Sequence, residues 1–136
     1  MSSNVFHNKC NHKGPTICLY KNEKGYIFGG YASVDWISFD SYRSAPDSFI
    51  LTLTNMYNIA PNKFPNSDKN KSIWDHSGCG PIFGGHDICI CFDSDDYIKF
   101  PISYKDILNK GYSIFKGDNY NIYFTLKEIE VFKLIK

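Results

Sequence analysis

Short runs of alternating apolar and polar residues, punctuated by Gly, Pro, Asn and Asp, make up most of this chain, and no stretch keeps a helical period long enough for a long amphipathic helix. The run "TICLY", Thr16 to Tyr20, alternates and is followed by turn residues from Asn22 to Gly25 and then "YIFGGYAS", which predicts a hairpin. "SFILTLT", Ser48 to Thr54, sets Phe49, Leu51 and Leu53 on one face and Thr52 and Thr54 on the other, so the first three are expected to face the core. "DICICF", Asp87 to Phe92, is apolar on both faces and predicts a central strand covered on both sides. In "NIYFTLKEIEVFKLI" the apolar parity changes: Ile122, Phe124 and Leu126 share one face, then Ile129, Val131 and Ile135 take odd positions. A bulge or turn near Lys127 accounts for that slip. The polar segment from Ala60 to Ser72 is expected to be the longest loop, and Pro101 to Gly111 to hold one helical turn, with Ser103 and Asp106 at a capping spacing. Many short strands joined by Gly and Pro turns predict a mainly β fold, a sandwich of two antiparallel sheets with a few short helices, in one domain spanning 1–136.

Composition narrows the class. The aromatic share of 17% suits pleated, half-buried surfaces, and a net charge of +1 with interleaved Lys, Asp and Glu provides no basic stripe for nucleic acid. The N-terminal "MSSNVFHNKCNHKGPT" lacks the apolar segment of a secretory signal, and no run reaches the roughly 18 apolar residues of a membrane span. The five cysteines, Cys10, Cys18, Cys79, Cys89 and Cys91, are therefore expected to be reduced thiols of a cytoplasmic protein, and the Asn70-Lys71-Ser72 triplet carries no weight as a glycosylation site.

Two FGG trios, Phe28-Gly29-Gly30 and Phe83-Gly84-Gly85, raise the question of a phosphate cradle. Neither has the spacing of a phosphate loop or a dinucleotide fingerprint, and strand-like sequence follows Gly85, so the glycines are read as sites of a bulge, a positive φ angle or a close backbone approach. His7, Cys10 and His12, even joined by Cys89 and Cys91, match no zinc finger or ribbon spacing. The acidic run at Asp93 fails as a calcium loop, because its sixth and twelfth positions are Ile98 and Tyr104. His76, Asp75 and Cys79 are close in sequence, but proximity alone shows neither the lowered thiol pKa nor the oriented base that nucleophilic chemistry needs, and His86 and Asp87 are expected to point to opposite faces. Trp36 and Trp74 are the residues that could form a sugar platform, against a reading as core.

The order of motifs resembles a TLDc domain. "FHNKCNHKGPTICLYKNEKGYIFGGYASVDW" is similar to that family's F-H-x-x-C-D-x-K-G-P-T stretch, strand, turn and F-G-G-Y before a Trp. "PDSFILTLTN", "GCGPIFGGHDICI" and "EIEVFKL" resemble, in order, its Asp-x-x-Phe strand, its G-P-T-F-G-G stretch and its closing E-I-E-V-F strand. The chain departs at Asn11, where Asp is usual, at Ile82, where Thr is usual, and in one glycine missing before His86. Only five residues precede Phe6, where members usually carry a strand and a helix, so an exposed sheet edge, a short or fragmentary domain and dependence on a partner are expected.

The resemblance implies a two-sheet β-sandwich. It also implies a non-enzymatic interaction module linked to protection against oxidative stress, whose partner is a protein, with subunits of the vacuolar proton pump (V-ATPase) as candidates. No cofactor or metal is implied, and no catalytic residues. Relatives that carry TLDc after a BTB domain suggest ubiquitin-ligase adaptors, and no BTB region is present in this sequence. Phe28, Gly29, Gly30, Tyr31, Gly80, Pro81, Phe83, Gly84, Gly85 and Asp87 match the family motifs and are carried over as mainly structural. Glu128 and Glu130 also match; they alternate onto one strand face, are expected to be solvated, and are candidates for partner binding. The rival expectations are a thiol-dependent redox enzyme and a carbohydrate-binding sandwich.

Overall fold

Thr16, Cys18, Tyr20 and Asn22 turn inward and Ile17, Leu19 and Lys21 turn outward, so the first alternating run forms β1 (Thr16–Asn22). Asn22 ties the turn, its Oδ1 accepting from the N–H groups of Lys24 and Tyr26 at 3.0 and 3.1 Å, and Gly25 supplies a φ of +84°. The chain returns antiparallel as β2 (Ile27–Ala32). The structure, a computed structural model, describes residues 1–135; Lys136, the last residue of the expected 1–136 domain, lies outside them.

The remaining strands are β3 (Ser41–Arg43), β4 (Phe49–Thr54), β5 (Asn62–Pro65), β6 (Ile73–Asp75), β7 (Ile82–Phe83), β8 (Ile88–Cys89), β9 (Asp96–Ile98), β10 (Tyr123–Phe124) and β11 (Leu126–Lys133). They form a five-stranded sheet, β11-β1-β2-β4-β5, and a six-stranded sheet, β10-β9-β8-β7-β6-β3, with antiparallel pairing throughout. This is the mainly β, two-sheet sandwich expected. Phe28, Ile50 and Phe64 meet Ile73, Phe83 and Ile88 in one core. Burying each such side chain contributes roughly 1.5–3 kcal/mol. Phe115, on the short helix α2 (Ser113–Lys116), packs its ring 5.1–5.7 Å from those of Phe28, Phe64 and Phe100.

The parity slip near the C-terminus has the predicted cause. Lys21 pairs with Glu128 and Asn22 with Leu126, leaving Lys127 as a bulge. The slip lies where the chain leaves the six-stranded sheet at Phe124 and enters the five-stranded one.

The F-H block lies on a helix, α1 (Ser3–Cys10), capped by the Ser2 hydroxyl, and Phe6 is buried edge-on to Trp36. Three expectations need correction. The core face of β4 is Ile50 and Thr52, not Phe49, Leu51 and Leu53, which face outward. The segment from Ala60 to Ser72 is not one loop but contains β5 and a 3-10 turn, Lys69–Lys71, because Phe64 is drawn into the core. The Pro101–Gly111 segment holds no helical turn: Ser103 is buried and its N–H donates to Asp87, while Asp106 accepts from the N–H groups of Lys110 and Gly111.

Candidate protein-interaction surface

With the interior filled, a partly apolar outer face remains on the five-stranded sheet. Successive register partners across it are Phe132, Ile17, Tyr31, Phe49 and Pro65 in one row, and Glu130, Leu19, Gly29, Leu51 and Lys63 in the next. Tyr31 and Phe49 stack with centroids 5.1 Å apart, and the Lys63 ammonium lies 4.8 Å from the Phe49 ring centre. Between β1, β4 and β5 runs a groove of about 660 Å³ floored by Ile17, Phe49, Leu51 and Leu53 and walled by Pro61 and Lys63. Phe132 is 51% exposed. Apolar side chains left at the surface of a sheet make this face the candidate contact surface.

Glu128 and Glu130 stand on the exposed face of β11, at the acidic rim of this surface, while Ile129 and Val131 between them pack against the core. Glu128 lies directly opposite Lys21. Among the described residues, neither glutamate nor Lys63 forms an ion pair.

The glycine motifs shape the sheets. A Cβ on Gly29 would stand 1.9 Å from the Cys18 carbonyl oxygen, and one on Gly30 2.6 Å from the Phe83 ring. Gly84 has a φ of +69°, and a Cβ there would stand 2.0 Å from Asp87 Oδ1. Gly80 and Pro81 are buried, and the Gly80 N–H donates to the Ile90 carbonyl. Asp87 is fully buried, and its oxygens accept from the N–H groups of Ile102, Ser103 and Tyr104 at 2.8–3.1 Å. Burial pushes its carboxyl up and those N–H bonds work against the shift.

Of the other candidates, Trp74, His76 and His86 gather with Tyr42 and Tyr97 as an aromatic cluster of the six-stranded sheet, with neighbouring ring centres 4.7–6.3 Å apart, while the rest lie apart. His7 Nε2 donates to the carbonyls of His76 and Cys79 at 2.8 and 2.9 Å, pinning α1 to that turn. Asp75 is buried and holds Arg43 and the N–H groups of Ile37 and Ser38. His86 is turned away from Asp87, its ring parallel to that of Tyr97 at 6.1 Å. Among the described residues no three His, Cys, Asp or Glu side chains gather as a metal site requires. Burial pushes the thiols of Cys10, Cys18, Cys79 and Cys89 up, and Cys89 Sγ lies 3.2 Å from Cys91 Sγ. Trp36 is core, its Nε1–H donating to Thr16 Oγ1. Trp74 lies on the outside of the six-stranded sheet, 4.7 Å from Tyr42. No helix among the described residues is long and apolar enough to cross a membrane.

The sequence signal for the apolar face lies in "TICLY" and "FILTLT", strands with apolar residues on both faces; treating their alternation as one buried and one solvated side concealed it.

Twenty-seven residues of the chain are 56% identical to a segment of a Danio rerio protein, MTOR-associated protein MEAK7. The match covers 20% of this chain and 6% of that protein's length. The TLDc domain profile matches residues 1–135, essentially from end to end, and the chain belongs to the TLDc domain family.

Proposed function

We propose that this chain is a non-enzymatic protein-interaction module of a cytoplasmic protein, acting in protection against oxidative stress, with V-ATPase subunits as the partner class. The observation that carries the reading is the apolar outer face of the five-stranded sheet, rimmed by Glu128 and Glu130, on a fold whose buried acids and histidines are occupied by structural hydrogen bonds. Family membership supports it, and so does the segment shared with a relative whose name describes it as mTOR-associated. A thiol enzyme fits less well, because burial raises the thiols of Cys10, Cys18, Cys79 and Cys89 where nucleophilic chemistry needs a depressed value. Affinity capture from a eukaryotic lysate tests the proposal. Recovery of pump subunits by the wild-type chain, and their loss with Lys63→Glu, at an exposed position of the same face, is the expected result. Recovery of no reproducible partner overturns the interaction reading, and recovery of partners without pump subunits overturns the pump assignment alone.

A further inference from the structure

The charges at the two sides of the apolar face are arranged so that the face complements itself. The row Glu130, Leu19, Gly29, Leu51, Lys63 crosses all five strands, with an acid on the edge strand β11, a base on the edge strand β5, and a glycine on the central strand β2. Both charged groups are exposed. Two copies of such a sheet can stack face to face about a two-fold axis lying between them. If the axis runs across the strands, β11 lies over β11 and Glu130 meets its own copy. If it runs along β2, β11 lies over the partner's β5: Glu130 meets Lys63, Leu19 meets Leu51, and the side-chain-free Gly29 meets itself at the centre. The neighbouring row behaves the same way, bringing Ile17 over Phe49 and Phe132 over Pro65. Stacked sheets usually cross at about 30°, which an axis tilted about 15° from β2 supplies. A net charge of +1 leaves no long-range repulsion to oppose the approach.

We infer that the apolar face of the five-stranded sheet is a homodimer interface, closed by two symmetric Glu130–Lys63 pairs across a two-fold axis along β2. The inference rests on the reading of this face as a protein-contact surface and names its occupant as a second copy of the chain. A heterologous partner that uses the same face competes with the dimer.

Sedimentation velocity on the full chain tests it with two charge reversals at exposed positions, Lys63→Glu and Glu130→Lys, each first checked for wild-type circular dichroism. The wild-type chain is expected to dimerise at about 100 µM, and each single reversal, which sets like charges together twice, to weaken dimerisation roughly tenfold or more. In an equimolar mixture of the two single variants, a chain with acids at both positions meets a chain with bases at both. Opposite charges then face each other in both pairs, and the mixture dimerises. The Lys63→Glu, Glu130→Lys double variant also recovers. A monomeric wild-type chain, single reversals without effect, or a mixture that stays monomeric each overturns the inference. A monomeric wild-type chain whose capture of pump subunits is still lost with Lys63→Glu removes the homodimer and leaves the interaction reading standing; a dimer that recovers no partner does the reverse.

Discussion

The ring of Phe83 covers Gly30 so closely that a Cβ at position 30 would stand 2.6 Å from it. Gly30 belongs to β2 and Phe83 to β7, so this contact joins the two sheets at the middle of the core. Gly30→Ala forces a core ring out of place and is expected to lower stability by about 2–3 kcal/mol. Gly29→Ala is expected to do more harm, roughly 3 kcal/mol or more, because its Cβ would meet the Cys18 carbonyl oxygen, which moves only with β1 itself. Urea titration of both variants ranks them, and a Gly30→Ala chain as stable as wild type removes this account of the first FGG.

Asp87 organises the segment before α2 by accepting from three consecutive N–H groups, those of Ile102, Ser103 and Tyr104. Asp87→Asn replaces one acceptor oxygen with an NH₂ group that faces donors. A loss of about 2–4 kcal/mol is expected, since hydrogen bonds to a charged group are each worth about 1.5–3 kcal/mol and buried orphans add to the loss. Hydrogen exchange provides the finer measurement: the amides of residues 102–104 should exchange faster than the β1 and β2 amides in the same variant.

How far the sequence could be read is clear from the strands. The hairpin of β1 and β2 and the bulge at Lys127 were legible because local chemistry sets them: Asn22 and Gly25 make the turn, and the parity of Leu126 and Ile129 fixes the slip. The orientation of β4 was not legible, because Phe49, Leu51 and Leu53 are more apolar than Ile50 and Thr52 and burial alone favours the wrong face. Register with β2 decides it, setting Ile50 beside Gly30 and toward Phe83's side of the sheet. Asp87 appeared in a motif without a partner, since Ser103 and Tyr104 reach it only through the return of a distant loop.

Lys116 is a buried ammonium, 3% exposed, held 2.6 Å from Asp118 Oδ1, and Lys24 reaches the other oxygen at 2.5 Å. Burial disfavours the charge on Asp118, but the hydrogen bonds from Lys116 and Lys24 outweigh it and take the carboxyl down to about 2. Asp118→Ala strands the Lys116 ammonium and is expected to destabilise by about 2–4 kcal/mol, whereas Lys24→Ala, at a more exposed position, is expected to cost about 0.5 kcal/mol. The fold holds this carboxyl below its unfolded value of about 3.9. Its stabilisation is therefore complete above about pH 4 and is lost as the pH falls toward 2. Thermal melts from pH 2 to 7 should show a shallower acid decline in Asp118→Asn than in wild type; parallel declines contradict the pairing.

Among the described residues, the Tyr20 hydroxyl is the buried side-chain polar atom left without a hydrogen-bond partner. Its ring packs edge-on to Phe28 at 5.6 Å and keeps its place in Tyr20→Phe. Removing an orphaned hydroxyl from a buried site relieves a desolvation penalty, so the variant is expected to match wild type or gain up to about 1 kcal/mol. A loss above about 1 kcal/mol in urea titration would show that the hydroxyl is satisfied after all.

The thiols provide the prediction that bears most directly on function. Burial pushes Cys18 and Cys89 well above the ordinary thiol range, and both side chains are almost wholly enclosed. The thiolate is the reactive form, so both sulfurs should be silent toward iodoacetamide in the folded chain at pH 7 and react on unfolding. Cys10 and Cys79 are raised as well, by burial first, and are expected to react slowly, at rates that climb as the pH is raised toward their elevated values. Mass spectrometry of the alkylated chain at pH 7 and pH 9 counts the modified positions. One of these four thiols reacting faster than a free cysteine at pH 7 would mean that the fold activates it rather than conceals it, and the redox-enzyme reading would then displace the interaction module.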